Sequence, residues 1–296
     1  STVVFFFSDH GDGLPRMKRW VYDSGLHVPL LVRFPGGHGA GTTNDELVSF
    51  VDFAPTVLSL AGLPVPEHMQ GQPFLGAQRA APRAYIFAAR DRMDPAPETI
   101  RAVRDGRFKY IRNYRPDLPY FGFIPYRDRA GVMQEILRLT AAGALGPDQW
   151  QLWSQTKPLE ELYDTEADPH EIRNLASDPE HFDKLAELRS AHLRWTEETR
   201  DLGHITEAEL IRRLWPPDGV QPTTADPVIT SVAEGPGRQV RITCASPGAS
   251  LVYRLTETGR WHLYTGPFEA PPGTTLWSQA NRLGWKHSTI VSTTIE

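Results

Sequence analysis

The sequence predicts an α/β protein: an α/β sheet domain with a small antiparallel subdomain, followed by a small all-β sandwich domain. Three observations support this class. Residues 2–8 form an uninterrupted apolar run, which is typical of a buried strand. Strands, loops and helices then alternate through the first segment. Residues 228–296 contain only short β-rich runs separated by glycine, proline and asparagine, a pattern that favours a small β-domain.

Residues 1–82 are predicted to form the α/β core. Residues 2–8 and 28–34 are both strand-like, and the proline at position 29 favours a strand start or an edge position in the second. Asp52 is expected to cap a helix that has a proline in its first turn, where a missing N–H costs little. Gly62 is expected to end that helix.

Residues 83–203 are predicted to form the antiparallel subdomain, a sheet plus a helix. Residues 84–89 and 100–114 are strand-like, and Asp105-Gly106 breaks the second run with a tight-turn signal. A helix is expected from about Pro179 to Thr199. Its apolar residues recur at three- and four-residue spacing and form one stripe: Phe182, Leu185, Leu188, His192 and Trp195.

Residues 204–227 are predicted to be a linker, because their pattern weakens and contains several prolines. Residues 228–296 are predicted to be an accessory β-domain. It has six strand-like runs, at 228–233, 239–244, 250–255, 261–264, 275–279 and 288–295. Tryptophans at 261, 277 and 285 are candidates for stacking on sugar rings, although buried core positions are the alternative.

Composition excludes several classes of function. The net charge of −5, without a cluster of lysines and arginines, argues against a nucleic-acid partner. No apolar run approaches the roughly twenty residues of a membrane-spanning helix. Cys244 is the single cysteine, so the chain has no internal disulfide.

Two motifs occur near the start of the chain: Asp9-His10-Gly11 follows the opening strand, and Lys-x-x-x-Tyr-x-x-Gly-x-x-Val-Pro-Leu occupies residues 18–30. In this order they resemble the sulfatase family, within the alkaline-phosphatase-like superfamily. Residues 161–164, Glu-Leu-Tyr-Asp, are similar to a later block of that family. The resemblance covers residues 1 to about 200 and implies a partial sulfatase α/β core with its carboxyl-terminal subdomain. Residues 253–268 resemble the β-domain found after some hexosaminidases.

The family's nucleophile motif is missing from this sequence. Sulfatases form their formylglycine nucleophile in Cys/Ser-x-Pro-x-Arg, and two further metal-binding aspartates lie near their amino terminus. Cys244 has no proline two residues on and no arginine four on, and no serine supplies the pattern. We therefore expect a carboxyl-terminal fragment that shows no turnover alone, because the remaining residues cannot replace a positioned nucleophile.

The resemblance implies that Asp9 and His10 bind a metal ion, which is calcium in the family. A carboxylate at a strand end suits calcium, whereas imidazole is commoner on transition metals, so another divalent cation stays open. Lys18 matches the family's sulfate-binding lysine, and its ammonium group suits an ester oxygen that gains charge as the bond breaks. We predict Lys18 to be catalytic and substrate-binding.

Arg90 and Arg92 are further candidates for substrate binding. They flank Asp91 after a strand, and arginine binds sulfate or carboxylate through two parallel hydrogen bonds. An intramolecular salt-bridge cluster is the equal alternative.

The predicted function is metal-dependent hydrolysis of a sulfuric ester, with a sulfated glycan or small molecule as substrate. One alternative is a phosphodiesterase or phosphonate hydrolase of the same superfamily, and the other is a non-catalytic carbohydrate-binding fragment. The resemblance also implies a periplasmic or secreted location. Oligomeric state and substrate identity do not follow from the sequence.

Overall fold

The computed structural model describes residues 2–93, 96–216, 218–234 and 237–296. The chain divides into two compact units, Ser1–His204 and Ile205–Glu296. Helices and several small antiparallel sheets confirm the predicted mixed α/β class. The predicted division of the first unit after residue 82 stays a prediction.

The first unit contains six strands and six α-helices among its described residues. The strands are β1 (Val4–Phe7), β2 (Leu30–Arg33), β3 (Ile86–Arg90), β4 (Ile100–Arg104), β5 (Phe108–Asn113) and β6 (Glu160–Asp164). The helices are α1 (Asp23–Leu26), α2 (Phe53–Leu60), α3 (Pro125–Asp128), α4 (Gly131–Ala141), α5 (Pro147–Trp150) and α6 (Phe182–Glu198). Short 3₁₀ turns cover Pro35–Gly37, Phe50–Asp52, Gln151–Trp153 and Pro179–His181.

The opening strand lies in a two-stranded sheet. β1 pairs antiparallel with β2, with Phe5 opposite Val32. Apolar side chains of both strands are exposed: Phe6 is 66% exposed and Leu31 is 58% exposed. The prediction of a buried strand at 2–8 is therefore wrong for the described residues, because the local run of apolar residues does not say whether a partner covers it.

The second sheet of this unit has four strands in the order β3-β4-β5-β6, all antiparallel. This confirms the predicted strands, and the turn between β4 and β5 falls at Asp105-Gly106 as expected. Asp105 Oδ1 accepts hydrogen bonds from the N–H groups of Arg107 (2.7 Å) and Phe108 (2.6 Å), which stabilises the turn locally.

Different elements cover the two faces of this sheet. Helix α6, confirmed where the apolar stripe predicted it, packs Leu185 and Leu188 against Val103, Tyr110 and Leu162. On the opposite face, the segment Trp20–Tyr22 forms a second core. The strand residues in this core alternate along the strands with those that face α6. That core contains Ile100, Ala102, Ile111 and Tyr163. The segment next to Lys18 is therefore part of a hydrophobic core.

The second unit contains helix α7 (Glu207–Leu214) and seven strands in its described residues. These are β7 (Val228–Glu234), β8 (Gly237–Thr243), β9 (Ser250–Arg254), β10 (His262–Leu263), β11 (Phe268–Ala270), β12 (Thr275–Asn281) and β13 (Val291–Thr294). They form a four-stranded sheet, β10-β9-β12-β13, and a three-stranded sheet, β11-β8-β7. Residues of both sheets share one core, including Val240, Ile242 and Leu276.

The interval predicted as a linker contains helix α7. The indole of Trp215, just after this helix, donates to the carbonyl of Gly284 (2.8 Å), and the indole of Trp285 donates to that of Leu214 (3.1 Å).

Two of the tryptophans that are candidates for sugar stacking each have an arginine of the same unit over the ring. These pairs are Arg254 over Trp261 at 4.5 Å and Arg282 over Trp285 at 4.0 Å.

Among the described residues, no helix combines the length and apolar character that crossing a bilayer requires.

Candidate active site

Asp9 and His10 lie side by side immediately after β1. The His10 Nε2 atom is 3.4 Å from Asp9 Oδ2, so the imidazole nitrogen and the carboxylate oxygen are close enough to bind one ion. The Asp9 side chain is 80% exposed and that of His10 is 36% exposed, which leaves both accessible from one side. The side chain of Ser8 fixes the turn by donating from Oγ to the His10 carbonyl at 2.7 Å.

The other ring nitrogen of His10 sets the tautomer. Nδ1 lies 2.6 Å from the carbonyl oxygen of Gly11, and a carbonyl only accepts, so Nδ1 is the protonated nitrogen. In the neutral imidazole, Nε2 then presents its lone pair beside the Asp9 carboxylate. This is the arrangement in which histidine binds a metal ion, with the second nitrogen oriented by a backbone carbonyl.

Two glycines bring the Asp9-His10 turn close to helix α1. The Gly11 N–H donates to the Gly25 carbonyl at 3.0 Å. A Cβ on Gly11 would lie 1.9 Å from the Ser24 carbonyl oxygen, and one on Gly25 would lie 2.3 Å from that of Met17. Gly11 is needed where the turn touches the backbone of α1, and Gly25 is needed where α1 touches the backbone of the Lys18 loop at Met17.

Lys18 lies on the loop that this contact closes. Its backbone N–H donates to the Asp12 carbonyl at 3.0 Å, which folds the Lys18 segment back onto the loop that begins at Asp9. The half-buried ammonium group lies 5.6 Å from the centre of the Tyr126 ring. The loop therefore carries the two candidate metal ligands and the candidate sulfate-binding lysine together.

Arg16 and Arg19 flank Lys18 in left-handed backbone conformation, with φ of 61° and 73°. Such values are unfavourable for arginine and persist where the surroundings enforce them. The Arg16 guanidinium stacks 4.0 Å from the centre of the Tyr22 ring, and its Nη2 donates to the Glu171 carbonyl at 2.7 Å. Ser24 Oγ donates to the Arg16 carbonyl at 2.7 Å. These contacts hold the loop in shape.

A buried carboxylate connects this segment to the four-stranded sheet. Glu161 on β6 is fully buried and accepts hydrogen bonds from Tyr22 Oη (3.0 Å), Tyr163 Oη (2.6 Å), Tyr120 Oη (3.2 Å) and Asn113 Nδ2 (2.6 Å). Burial, and then the charge of Glu161, raise the pKa of the Tyr22 hydroxyl well above its ordinary value. The tyrosine hydroxyls therefore stay protonated and donate to Glu161. Because Tyr22 is only four residues after Lys18 in sequence, its hydrogen bond also restrains the Lys18 segment.

A second buried network holds Asp23. The ammonium of Lys109 on β5, fully buried, lies 2.5 Å from Asp23 Oδ1 and 2.9 Å from Glu171 Oε1. The Asp23 N–H donates to Glu171 Oε2 at 2.6 Å, and Arg104 Nε donates to the Asp23 carboxylate at 3.2 Å. Burial opposes the charge of Asp23, but Lys109 and Arg104 outweigh it and lower the Asp23 pKa. Burial raises the pKa of Glu171, although Lys109 counteracts it.

Arg90 lies at the end of β3 and is buried, with its guanidinium 4.3 Å from the centre of the Trp20 ring. Asp91, the carboxylate between the two predicted substrate-binding arginines, pairs with Arg101 at 2.9 Å, and Arg101 also pairs with Asp201 at 2.7 Å. Arg92 is half-buried just beyond. The predicted role of Arg90 and Arg92 in substrate binding stays a prediction.

Comparison with known proteins places these motifs in a family. A family model described as N-sulphoglucosamine sulphohydrolase, C-terminal, matches residues 16–121. An ulvan-active sulfatase from Formosa agariphila is 47% identical over 296 residues, covering 98% of this chain and 49% of that protein. N-sulphoglucosamine sulphohydrolase from Homo sapiens is 30% identical over 225 residues, covering 68% of this chain and 42% of that protein. The chain belongs to the sulfatase family.

This sulfatase chain spans about half, or less, of the length of these relatives. A putative sulfatase of known structure from Bacteroides thetaiotaomicron aligns with 68% of this chain and 37% of its own, at 24% identity and a TM-score of 0.48.

The residues present fit part of a divalent cation site. Asp9 supplies a carboxylate and His10 an imidazole with the required tautomer. Calcium takes six to eight oxygen ligands, and the described residues contain no group of three or more His, Cys, Asp or Glu side chains placed to hold a metal. A calcium ion held by Asp9 and His10 would need further ligands, and the metal assignment stays a prediction.

Lys109, Glu161 and Glu171 position the Lys18 segment through their charged groups, and no role was predicted for them. The partners of Lys109 and Glu161 on the Lys18 segment are distant in sequence. Both residues lie in strands that contain other charged residues, so neither stands out in the sequence.

Proposed function

We propose that this chain carries the cation-binding and sulfate-binding loop of a hydrolase that cleaves sulfuric esters of carbohydrates. One observation supports this most: Asp9, His10 Nε2 and Lys18 lie on a single loop that the Gly11–Gly25 contact closes. A divalent cation held by Asp9 and His10 would supply positive charge to the sulfate oxygens. The Lys18 ammonium would stabilise the ester oxygen that becomes negative as the sulfur–oxygen bond breaks.

The buried networks support this function by fixing position. Tyr22 is bound to Glu161, and Asp23 is bound to Lys109, so the segment that follows Lys18 has little freedom to move. A preorganised cation next to an anionic ester lowers the barrier because no reorganisation is needed during the reaction.

A sulfated carbohydrate is the proposed substrate class. The relative that is 47% identical is named an ulvan-active sulfatase, and the human relative is named N-sulphoglucosamine sulphohydrolase. Both names refer to sulfated sugars. We also propose a periplasmic or extracellular location, as the resemblance implies.

We further propose that the 296 residues alone do not turn over substrate. The sequence has no Cys/Ser-x-Pro-x-Arg motif, and only two of the described residues are candidates for the metal. The exposed apolar side chains of β1, β2 and α2 support the same proposal, since such a surface normally contacts further polypeptide. They include Val4 (45%), Phe6 (66%), Leu31 (58%) and Val57 (54%).

Two experiments test the proposal. The purified chain should release no sulfate from an aryl sulfate, with or without added calcium; metal-dependent release would contradict the proposed dependence on further residues. The reading frame upstream of residue 1 should encode a Cys/Ser-x-Pro-x-Arg motif, and the extended protein should release sulfate. A threonine nucleophile in another context would instead indicate phosphoryl chemistry, and release of phosphate would replace the proposal.

A further inference from the structure

Four cationic side chains gather around aromatic rings beside the Lys18 loop. Arg19 lies 4.5 Å from the centre of the Tyr126 ring, which the Lys18 ammonium also approaches at 5.6 Å. Arg127 lies 3.7 Å from the centre of the Phe121 ring, and Arg90 stacks on Trp20. We call Arg19, Arg90, Arg127 and Tyr126 the Tyr126 cluster.

The backbone of Arg19 explains how two successive residues reach one ring. Adjacent side chains normally point to different sides of an extended chain. Arg19 has a φ of 73°, and this left-handed conformation turns its side chain towards the ring that Lys18 approaches. Left-handed arginine is unfavourable, and backbone strain of this kind concentrates at functional sites.

Arg90 has hydrogen-bonding capacity that the described residues do not use. Its side chain is nine-tenths buried, and its Nε and Nη1 atoms have no hydrogen-bond partner there. A buried donor without a partner costs free energy. Both atoms are buried beside the Trp20 ring, whose centre lies 4.3 Å from the guanidinium carbon, and an anion that reached them would accept from donors that the described residues leave unused.

Two carboxylates among the described residues near the Tyr126 cluster have cationic partners. Asp128 Oδ1 accepts from Arg127 at 2.7 Å, and Glu98 lies 2.9 Å from the buried ammonium of Lys157. Burial lowers the pKa of Arg90 and of Arg127, and the neighbouring charge of Arg19 acts in the same direction, whereas Glu98 opposes the shift at Arg90 and Asp128 opposes it at Arg127. The three arginines are therefore close enough to repel one another, and an added anion would reduce that repulsion.

We propose that the Tyr126 cluster binds a second anionic group of the substrate, separate from the sulfate that Lys18 contacts. The group is a carboxylate or a sulfate ester on the sugar next to the reacting one. This inference rests on the proposed function, and it deepens it, since the substrate becomes a glycan with at least two negative charges.

Binding to the 296-residue chain tests the inference without requiring turnover. The ligands are sulfated disaccharides whose second sugar is neutral, carries a carboxylate, or carries a second sulfate. Isothermal titration calorimetry with calcium present should give about 10-fold tighter binding of a doubly charged ligand, as expected for one additional charge-assisted contact. The two charged arms show which anion the cluster prefers.

Substitutions locate the effect. Arg19→Asn removes the charge and keeps a residue that tolerates left-handed backbone, so the charge-dependent advantage should fall to less than about 3-fold. Arg127→Gln should act in the same direction, and Arg19→Lys should retain most of the advantage. Arg138→Gln is the matched control, because Arg138 is exposed on α4 and pairs only with its helix neighbour Glu135. Circular dichroism checks that each variant is folded.

Three outcomes would overturn the inference: equal affinity for neutral and doubly charged ligands, an equal loss for all ligands in Arg19→Asn, or no binding of any ligand. Sulfate release by the upstream-extended protein separates this test from that of the proposed function. If that protein releases sulfate but shows no preference for a second charge, the anion site at the Tyr126 cluster is rejected and the proposed hydrolase function is kept. If affinity depends on the second charge but no sulfate is released, the hydrolase function is rejected and the anion site is kept.

Discussion

The two faces of the four-stranded sheet differ in how they are packed. Helix α6 covers one face mainly through aliphatic and aromatic contacts, with Leu188 fully buried against its neighbours, and the buried Arg101 forms its ion pairs at the end of this face. The Trp20–Tyr22 segment covers the other, and there Lys109 and Glu161 project charged groups into the interface. Apolar packing tolerates small shifts, whereas a buried ion pair or a carboxylate with four donors is satisfied in one geometry. The face with Lys109 and Glu161 is the one that fixes the position of the Lys18 loop, because its charged groups bind Asp23 and Tyr22 directly.

The contrast extends to two lysines that each pair with two carboxylates. Lys109 is fully buried between Asp23 and Glu171. Lys184 on α6 is 29% exposed and pairs with Asp105 at 3.2 Å and Glu187 at 2.6 Å. One lysine between two carboxylates therefore occurs once in the protein interior and once near its surface, and burial is the main difference between the two groups.

The largest effect is expected from Lys109→Met. It leaves two buried carboxylates without their cation, so the free energy of unfolding should fall by about 3–5 kcal/mol. Urea unfolding measures the loss, and hydrogen exchange should show faster exchange in residues 16–25 than in α6. The double substitution Lys109→Met with Glu171→Gln removes one repelling charge and should recover part of the loss. No recovery would contradict the account of a charge network.

Leu188→Ala breaks the apolar face instead. Removing a fully buried leucine should lower the free energy of unfolding by about 3 kcal/mol, from lost burial and from the cavity that remains. Ligand affinity at the Lys18 loop, measured by calorimetry with a sulfated disaccharide, should stay within about 2-fold of the unsubstituted chain, since Leu188 packs on the face of the sheet opposite the Trp20–Tyr22 segment. An affinity loss matching that of Lys109→Met would show that both faces position the site.

The apolar face also contains a group that makes stability depend on pH. His192 on α6 is 1% exposed, and burial, then the charge of Arg101, lower its pKa to about 4. The unfolded chain binds this proton near pH 6.5 and the folded chain does not, so stability falls as pH falls towards 4. The histidine should remove about 2 kcal/mol between pH 7 and pH 5.

The variant His192→Gln isolates this contribution, because glutamine can still accept a hydrogen bond from Tyr114, whose hydroxyl lies 2.6 Å from His192 Nε2. Urea unfolding at both pH values should show a smaller difference in the variant. An unchanged difference would mean that other groups cause the acid sensitivity.

The smallest effect is expected from Lys184→Met. A partly exposed pair is screened by solvent, and its loss should change the free energy of unfolding by less than about 1 kcal/mol. Measured beside Lys109→Met in the same buffer, it sharpens the comparison between the interior and the rim. A loss as large as that of Lys109→Met would show that burial does not set the difference.

Local patterns predicted the parts of the fold that depend on local contacts. The strands on either side of Asp105-Gly106 and the stripe from Leu185 to His192 follow from periodicity and turn chemistry, and the structure contains them. Exposure of Phe6 did not follow, because an apolar strand looks the same whether or not a partner covers it. Helix α7 lies within the interval predicted as a linker, and the hydrogen bond that follows it, from Trp215 to Gly284, joins residues far apart in sequence.

Local sequence spacing also accounts for the part of the candidate site that lies on one loop, while the roles of its residues stay predictions. Asp9, His10 and Lys18 lie close together in sequence, and their arrangement on one loop followed from that spacing. Tyr22 and Glu161 are separated by 139 positions, so their hydrogen bond could not be inferred from either residue alone. The roles of Arg90 and Arg92 depend equally on what surrounds them in space.

The contact between Gly11 and Gly25 has a consequence for how this loop can change during evolution. A methyl group on Gly11 would collide with the Ser24 carbonyl oxygen, and one on Gly25 would collide with that of Met17. Exchange of other side chains cannot relax either contact, because both are made to the main chain. Replacements that preserve the loop are therefore expected at positions other than these two glycines.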